Sequence, residues 1–600
     1  MTKRSELLLV IVWMTVAACI VYLATGRPSL GIDDAQIFFT YAQNVAAGKG
    51  LLYSPGVPPA EGYTSTLWTA ICALMFYLHA NEIGVLVVSV LLIVVTQLLA
   101  LRLIDTLLSG RSAWQARFIY VVLITASPAY LSWTTITLMD TGIWSTLIVS
   151  MVYVLLLPPV TRAGWLAAGA AFCLAQLARP EATVVGPAVL ALLWLKLHSQ
   201  RRSCAPVWGV LGAMIATTLA LTAFRMAYFG YPLPSTYYAK VSSSTWYNLQ
   251  IGFGYLARYV LGGNVAFVAA LVCVPFGWRL LVRVVRDWPR AMQGGAPFVI
   301  SDRLDDACQL LAAVGLLMLA LPISVGGDHF SLSRFYQPAW PVLCLLLAFA
   351  CVRLAASARF AATRIAAWNA RRVWAVPAAV ACLAVLLSCA SLKDSWLGIA
   401  RHGSPLAPEF RAGLNGERIG EAIDAVFASS RIAPPTIGVV AAGGVARTYR
   451  GPIIDLMGLN NAFIAHFPGD RIGVKDHAAF EKAAFYQLPV DMVISSPAYP
   501  WDDVVLKRIF YDPRFTSSWR FGVVYLKADP AVRYESFYST KFLKSLDADD
   551  RLAYRDSMVF NPASGAWERV PVPVPVPSAP VHASGPSGVR ASDEHHSNTA

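Results

Sequence analysis

Eleven apolar runs constrain the fold of this chain more than any other feature of its sequence. They lie near residues 7–25, 83–101, 117–137, 140–157, 164–179, 181–197, 207–228, 262–281, 308–325, 335–354 and 373–391. Each run approaches the roughly 20 residues that a helix needs to cross a bilayer. Charged residues make up 14% of the chain, whereas soluble proteins carry about 25%. The pattern predicts an α-helical polytopic membrane protein with about 11 transmembrane helices.

Positively charged loops set the predicted orientation of these helices. Lys3 and Arg4 precede the first run, which indicates an uncleaved signal anchor with a cytoplasmic N-terminus. A further apolar stretch, 63–79, either crosses the membrane or lies at its interface. Only the interfacial interpretation places basic loops such as 102–117 and 196–202 in the cytoplasm, so we adopt it. Such loops account for the net charge of +13, and no nucleic-acid partner is predicted.

The segment that follows the first apolar run carries two adjacent acids. Asp33 and Asp34 open an amphipathic stretch with the 3.6-residue period of a helix lying on a surface. Its apolar side carries Ile37, Phe38, Tyr41 and Val45, and its polar side carries Gln36, Thr40, Gln43 and Asn44. Acids beside a membrane usually have a function. The structural alternative is that Asp34 caps the helix and accepts hydrogen bonds from its free amide groups.

In this orientation, the unusual polar residues of the membrane part gather at its outer face. They are Asp33, Asp34, Glu61, Asp140, Arg179, Glu181, Tyr237, Tyr238, Lys240, Asp328, His329 and Arg334. Scattered snorkelling residues would not sort in this way. The grouping predicts a site for a charged group that is presented at the membrane surface.

Each of these groups also has a structural alternative. The alternatives are an ion pair at a helix end for Arg179 and Glu181, interfacial anchoring for Tyr237 and Tyr238, a turn for Asp328 and His329, and snorkelling for Arg334. The sequence leaves both interpretations open at this point.

The polar part that follows the last apolar run has a different pattern. Short β-rich runs between helices predict an α/β domain, which lies outside the membrane in this orientation. A helix is expected at 413–428, with strands at 436–440, 453–455, 492–494 and 522–526. The Gly443-Gly444 pair after the first strand forms either a plain turn or a phosphate-binding turn. The predicted domains are a membrane domain at 1–391, an extracytoplasmic α/β domain at 392–565, and a Pro-rich disordered tail at 566–600.

Short motifs occur in a fixed order along the chain. They are Asp33-Asp34, Glu61-Gly62-Tyr63-Thr64-Ser65, Ser127-Pro128, Met139-Asp140-Thr141, Arg179-Pro180-Glu181, Tyr228-Phe229-Gly230, Leu233 to Lys240, Gly326-Gly327-Asp328 and Ile454 to Asn460. In this order the chain resembles the polyprenyl-phosphate-dependent arabinofuranosyltransferases of the GT-C fold. That family includes the actinobacterial enzyme that adds terminal arabinofuranose and the bacterial pilin arabinosyltransferases. The resemblance covers residues 1 to about 530.

The resemblance implies a multi-pass glycosyltransferase of the bacterial cytoplasmic (inner) membrane. It would move a sugar, arabinofuranose, from a polyprenyl-phosphate carrier to a hydroxyl of a glycan or protein acceptor on the outer face. Two other functions stay open: a transporter or flippase for lipid-linked substrates, and a non-catalytic receptor or assembly protein. Transporters usually carry ionisable residues near mid-membrane and show internal repeats. Acids grouped at one face favour the transferase.

The residue types suggest roles in such a transfer. A hydroxyl is a poor nucleophile, and a nearby carboxylate takes its proton as the new bond forms, so Asp33 or Asp34 is the candidate catalytic base. The departing lipid phosphate needs positive charge, for which Arg179, Lys240 and Arg334 are candidates. The other substrate-binding candidates are Glu61, Tyr63, Asp140, Glu181, Tyr237, Tyr238, Asp328 and His329.

No cofactor is predicted from the sequence. The ten cysteines include no pair and no Cys/His cluster with the spacing of a metal site. A divalent cation bridging Asp33 and Asp34 to the phosphate stays an open alternative, because hard cations favour carboxylate oxygens.

The orientation makes a direct prediction for labelling in cells. With the native cysteines replaced, Arg202→Cys should stay unreactive toward a membrane-impermeant thiol reagent, whereas Lys240→Cys should react. Permeabilised cells serve as the control, since Arg202→Cys should then react as well. Labelling of Arg202→Cys alone in intact cells would reverse the orientation.

Overall fold

The computed structural model describes residues 3–26, 30–262, 264–292, 299–301, 303–362 and 395–570 of the chain. The last predicted apolar run, 373–391, lies outside these residues, as do the boundary predicted at residue 391 and the segment 571–600 of the predicted tail. The other ten predicted runs all fall on helices.

The chain up to residue 362, called the membrane part below, is helical. Its helices are α1 (Lys3–Ala24), α2 (Asp33–Ala46), α3 (Thr66–Tyr77), α4 (Asn81–Leu107), α5 (Gly110–Thr125), α6 (Pro128–Thr134), α7 (Thr141–Leu156), α8 (Arg162–Ala178), α9 (Ala182–Ser199), α10 (Ala205–Tyr228), α11 (Ser235–Lys240), α12 (Thr245–Gly262), α13 (Asn264–Met292), α14 (Leu304–Ser324) and α15 (Trp340–Ala362). A 3-10 helix, Arg334–Ala339, leads directly into α15.

Seven helices in the described part of the chain are long and apolar enough to cross a membrane: α1, α4, α9, α10, α13, α14 and α15. Three further runs that we assigned as spans form α5, α7 and α8, which have 16, 16 and 17 residues. These helices are shorter than the roughly 20 residues of a full span. The run 117–137 is interrupted because the Ser127 hydroxyl caps a new helix by accepting a hydrogen bond from the Tyr130 N–H.

The ambiguous stretch 63–79 contains the short helix α3. Its 12 residues measure about 18 Å at 1.5 Å per residue, whereas the hydrocarbon core is about 30 Å thick. This length agrees with the interfacial interpretation.

Helix α2 forms where the amphipathic pattern predicts a helix, but it does not lie on a surface. Its residues from Ala35 to Ala42 are all buried, on the polar side as well as on the apolar side. It packs against α3 and against two helices from the C-terminal part of the chain. The Thr40 hydroxyl therefore donates its hydrogen bond to the main-chain oxygen of Gln36, at 2.9 Å, instead of to water. The predicted exposure of the polar side is wrong, because residues distant in sequence cover it.

Residues 396–569, called the C-terminal domain below, combine helices with one mixed sheet. The helices are α16 (Trp396–His402), α17 (Ala407–Phe427), α18 (Gly443–Thr448), α19 (Ala462–His466), α20 (Lys482–Phe485), α21 (Pro500–Val505), α22 (Pro513–Ser518) and α23 (Thr540–Leu546). The strands are β1 (Ile437–Val439), β2 (Ile453–Asp455), β3 (Met492–Val493), β4 (Trp519–Leu526), β5 (Arg533–Ser539), β6 (Leu552–Asn561) and β7 (Ala566–Arg569).

The sheet has the strand order β2-β1-β3-β5-β4-β6-β7. Strand β1 pairs in parallel with β2 and β3, and the other neighbours are antiparallel. The four predicted strands correspond to β1–β4 and the predicted helix to α17. The predicted fold class, a helical polytopic membrane protein with a C-terminal α/β domain, is confirmed.

The predicted boundary at residue 565 falls inside a β-hairpin. Strand β7 pairs with β6, Ala566 lying opposite Asn561. The buried Trp567 donates its indole N–H to the main-chain oxygen of Phe510, at 3.0 Å. The sheet therefore continues past the predicted boundary to Arg569.

The C-terminal domain contacts the membrane part on two flanks. On the first, Arg447 of α18 forms an ion pair with Glu82. Its guanidinium also lies over the rings of Phe39 and Phe76, 5.6 and 5.0 Å from their centroids. On the second, the segment 470–477 contacts α11 and the loop that follows it.

Two hydrogen bonds define the second flank. The Ser242 hydroxyl donates to the main-chain oxygen of Asp470 at 2.5 Å, and Arg471 donates to the main-chain oxygen of Tyr238 at 3.1 Å. Both flanks border the region where the predicted site residues lie.

The first flank leaves no room for a side chain at the start of α18. A Cβ at Gly443 would collide with the main-chain oxygen of Asp33. We expect Gly443→Ala to destabilise the protein by about 1–3 kcal/mol, the usual cost of overpacking, and to expose the C-terminal domain to protease. The control is Gly254→Ala, because a Cβ at this helical glycine meets nothing within 4 Å. Equal melting temperatures and digestion rates for the two variants would contradict the packing described here.

Candidate functional site

A cavity of about 410 Å³ lies between α2, α11, the start of α9 and the end of α14, and residues of the C-terminal domain close it. Its lining includes eight predicted site residues: Asp34, Tyr63, Arg179, Glu181, Tyr237, Lys240, Asp328 and Arg334. The other five lie outside the lining: Asp33, Glu61, Asp140, Tyr238 and His329.

Asp34 faces two cations inside this cavity. Its Oδ2 lies 4.0 Å from Nζ of Lys240 and 3.7 Å from Nη1 of Arg334. Burial of the carboxyl group works to raise its pKa, but the positive charges of Lys240 and Arg334 outweigh burial and lower the pKa of Asp34. The carboxylate is therefore ionised at neutral pH, and its side chain is 22% exposed.

The turn before α15 aims Arg334 into the cavity. Leu332 and Ser333 both take left-handed backbone angles, with φ of 62° and 47°. The Nε of Arg334 lies 2.7 Å from Oδ2 of Asp328, and its guanidinium lies 4.6 Å from the centroid of the Phe330 ring. Because its side chain is only 8% exposed, the snorkelling alternative for Arg334 does not apply.

Arg179 holds two acids at the junction of α8 and α9. Its Nη1 lies 2.9 Å from Oδ2 of Asp140, and its Nη2 lies 2.6 Å from Oε1 of Glu181. Burial disfavours the charged forms of these groups, but the Arg179 charge lowers the pKa of Glu181, and the two acids raise the pKa of Arg179. The ion pair proposed as a structural alternative exists, and Arg179 and Glu181 line the cavity as well.

Asp33 is turned toward the C-terminal domain and away from the cavity. Its two carboxylate oxygens accept hydrogen bonds from the N–H groups of Gly443, at 3.2 Å, and Gly444, at 2.8 Å. Burial raises the pKa of Asp33 to about 6, even though these hydrogen bonds oppose the shift. The glycine pair thus binds an anion, which is the side chain of Asp33.

Neither acid caps α2. The N-cap position is Ile32, and no side chain accepts a hydrogen bond there. The two carboxylates also have different partners, so Asp33 and Asp34 do not form the paired site that a bridging divalent cation requires.

Glu61 orients its loop and does not reach the cavity. Both of its carboxylate oxygens pair with the guanidinium of Arg225 at 2.8–3.1 Å, and only 2% of its side chain is exposed. The next tyrosine, Tyr63, is buried in the cavity wall. Arg225 is not among the predicted site residues, although a lone arginine in the apolar run 207–228 requires an acidic partner.

The tyrosine pair of α11 divides between two environments. Tyr237 lines the cavity and is 44% exposed. Tyr238 instead packs against His466 of the C-terminal domain, with 4.0 Å between the ring centroids and 42° between the ring planes. Only Tyr237 is therefore placed to contact a bound substrate.

The C-terminal domain adds two residues that sequence analysis missed, Lys475 and Asp476. Asp476 accepts hydrogen bonds from the main-chain N–H of His329, at 3.1 Å, and pairs with its ring Nδ1, at 2.9 Å. The Nζ of Lys475 lies 3.2 Å from the other oxygen of Asp476. The adjacent ionisable residues at 475–477 were the only sequence feature that pointed to them. This feature does not identify a site by itself, because the partners of these residues lie about 150 residues earlier.

One group of side chains in the described part of the chain has the spacing of metal ligands: Asp328, His329 and Asp476, whose ligand atoms lie within 4.8 Å of one another. Both acids already pair with cations, Asp328 with Arg334 and Asp476 with Lys475. Because a bound cation would compete with these partners, the arrangement does not favour a metal ion.

No protein-family model matches the chain, and no curated protein matches it in sequence. Three solved structures are similar in chain path. ArnT from Cupriavidus metallidurans, bound to undecaprenyl phosphate, has 14% identity and a TM-score of 0.48, over 90% of this chain and 99% of that chain. The apo oligosaccharyltransferase of Archaeoglobus fulgidus has 11% identity and a TM-score of 0.43, over 90% and 75%.

The third structure is the oligosaccharyltransferase AglB from Archaeoglobus fulgidus, in complex with an inhibitory peptide and a dolichol-phosphate. It has 11% identity and a TM-score of 0.42, over 88% of this chain and 74% of that chain. All three TM-scores are below 0.5, so these likenesses assign neither an activity nor a substrate to this chain.

The raised pKa of Asp33 predicts a pH dependence of stability. Its pKa rises from an ordinary 3.8 to about 6 on folding, so the folded state binds the proton of this carboxyl group more tightly than the unfolded state does. Protonation of Asp33 therefore stabilises the folded state at low pH, and this stabilisation is lost as pH rises from about 4 to about 6. At about 1.36 kcal/mol per pKa unit, the loss is up to about 3 kcal/mol. Denaturant unfolding in mild detergent at several pH values measures it.

Asp33→Asn provides the comparison, since an amide does not titrate. The difference in unfolding free energy between the wild type and this variant should change across that pH window and be constant above about pH 7. A difference that is constant over the whole range would show that Asp33 has an ordinary pKa in the folded state.

Proposed function

We propose that this chain is a GT-C-type membrane glycosyltransferase that moves a sugar from a polyprenyl-phosphate carrier to an acceptor hydroxyl. The observation that carries the proposal is the position of ionised Asp34 opposite Lys240 and Arg334 within one cavity. A base for the acceptor and positive charge for the leaving phosphate are what such a transfer requires.

The donor phosphate would bind beside Lys240 and Arg334. Their distances of 4.0 and 3.7 Å to Asp34 are too long for direct hydrogen bonds, so their N–H groups can turn to phosphate oxygens. Apolar residues of the lining would take the first isoprene units of the carrier, among them Ile37, Phe38, Val184, Leu233 and Leu321. A volume of about 410 Å³ is within the usual range for a ligand pocket.

Asp34 would act as the base. As the acceptor oxygen bonds to the anomeric carbon, the bond from that carbon to the phosphate oxygen breaks, and the polyprenyl phosphate leaves with the electron pair. The acceptor proton passes to the Asp34 carboxylate and then to solvent. Bound phosphate draws the two cations away from Asp34 and adds negative charge beside it, which raises its pKa and makes it a stronger base.

The sugar and the acceptor are assigned from the resemblance described above. Arabinofuranose is the proposed sugar, and the acceptor is a cell-envelope glycan or a pilin-like protein. The proposed location is the bacterial cytoplasmic membrane, with the C-terminal domain on the outer side. Residues of that domain, Lys475 and Asp476, form part of the cavity wall, so the domain and the proposed site share one membrane face. The sorting of the basic loops to the other face supports the outer side for both.

A transporter or flippase for the same lipid-linked substrate is the second candidate. The ionisable residues of the cavity lie under the C-terminal domain, at the ends of α9 and α14, which favours transfer at one face over passage through the membrane. Purified protein distinguishes the two, because a transferase releases polyprenyl phosphate and yields an acceptor with increased mass.

Substitution of the proposed base tests the mechanism. Asp34→Asn should lower turnover of polyprenyl-phosphate arabinofuranose by a factor on the order of 100 or more, the usual worth of a general base. The shape of the side chain is preserved, but an amide does not accept the proton. Release of polyprenyl phosphate by detergent-solubilised protein gives the rate.

The matched control is Asp529→Asn, the same substitution at an exposed position of the C-terminal domain. It should keep wild-type turnover, and both variants should elute and melt like the wild type. If Asp34→Asn keeps near wild-type turnover under these conditions, Asp34 is not the base.

A further inference from the structure

A second cavity lies at the opposite end of α14 from the proposed active site. It has a volume of about 720 Å³, and its wall includes Asp305 and Asp306 at the start of α14. The last residues of the same helix line the first cavity. The 21 residues of α14 span about 30 Å, which is the thickness of the hydrocarbon core. The second cavity therefore opens at the other membrane face, which is the cytoplasmic face in our topology.

Among the described residues that line this second cavity, positive charge exceeds negative charge. Its lining contains the arginines 279, 283, 286 and 303 and two acids, Asp305 and Asp306. Both acids already form ion pairs: Asp305 pairs with Arg353, and Asp306 pairs with Arg283. Within the described ranges, neither Arg279 nor Arg303 forms an ion pair with an acid. Two guanidinium groups are thus available to an anionic ligand.

A stripe of exposed apolar residues on α13 meets the same cavity at one residue. It consists of Phe267, Leu271, Val274, Trp278, Leu281 and Val285, each between 42% and 66% exposed. Their alternating spacing of four and three residues places them on one helix face, which would lie against acyl chains. Trp278 also lines the cavity, and tryptophan favours the headgroup level of a bilayer.

We propose that this cavity binds the phosphate headgroup of an anionic phospholipid of the cytoplasmic leaflet, with an acyl chain along the apolar face of α13. Arg279 and Arg303 supply the planar donors that suit phosphate oxygens. Basic pockets between helices on the cytoplasmic side recognise such headgroups. A free phosphate ion would use the arginines but not the apolar stripe, so the structure favours the lipid.

Removal of the two guanidinium charges tests this proposal. The variant Arg279→Gln with Arg303→Gln is compared with Arg102→Gln with Arg162→Gln, which makes the same charge change at exposed positions that line neither cavity. Native mass spectrometry of full-length protein from nanodiscs of phosphatidylglycerol and phosphatidylcholine measures the bound lipid. The cavity variant should bind phosphatidylglycerol more weakly by a factor on the order of 30, the worth of two arginines beside an anionic lipid, whereas the control should retain it.

Two results would overturn the proposal. The first is equal retention of phosphatidylglycerol by the two variants when both melt like the wild type in phosphatidylcholine alone. The second is displacement of the lipid from the wild type by millimolar inorganic phosphate, which would make the cavity a site for free phosphate.

Discussion

The contact of Asp33 with Gly443 and Gly444 is the interaction on which the rest of the site depends. It joins α2 to the C-terminal domain through two N–H groups and one carboxylate. Successive residues of a helix point about 100° apart, so the acid that holds the domain also directs the next acid, Asp34, away from it. The same contact brings the C-terminal domain over the membrane part, where its segment around Lys475 closes the cavity. Asp33 thus holds the C-terminal domain in place, and its neighbour Asp34 is the candidate catalytic residue.

Burial of charge explains why the site is built from many elements. An unpaired charge beside the membrane is costly, and several of the buried ions here have a partner from another part of the chain. Arg179 pairs with Asp140, which lies 39 residues away, and Glu61 pairs with Arg225, which lies 164 residues away. These pairs form only when the helices have packed. The arrangement of charged groups in the cavity therefore depends on the tertiary fold. Asp34 differs from the other acids because its two cations lie farther away, at 4.0 and 3.7 Å.

Much of this architecture could be predicted from the sequence, because apolar run length and the sorting of basic loops are local properties. Eight of the predicted site residues line one cavity, whereas the acids Asp33, Glu61 and Asp140 lie outside it. Long-range pairing could not be predicted in this way: the amphipathic pattern of α2 describes an exposed helix, but α3, α17 and α18 pack against it, and Gln36 and Thr40 are buried. Strands β5–β7 were missed because their polar and aromatic residues do not form the continuous apolar runs that identified β1–β4.

The distance in sequence between Asp33 and its glycine partners has a consequence for how the protein is made. The two sides of this contact are 410 residues apart, and a ribosome adds about 5–20 residues per second. Between about 20 and 80 seconds therefore separate the synthesis of the first acid from that of the groups that hold it. During that interval the nascent chain has Asp34 but no closed cavity around it. In the proposed transferase, the cavity is complete only after the segments around Gly443 and Lys475 have been made, so a chain truncated before them should not consume the proposed lipid-linked donor.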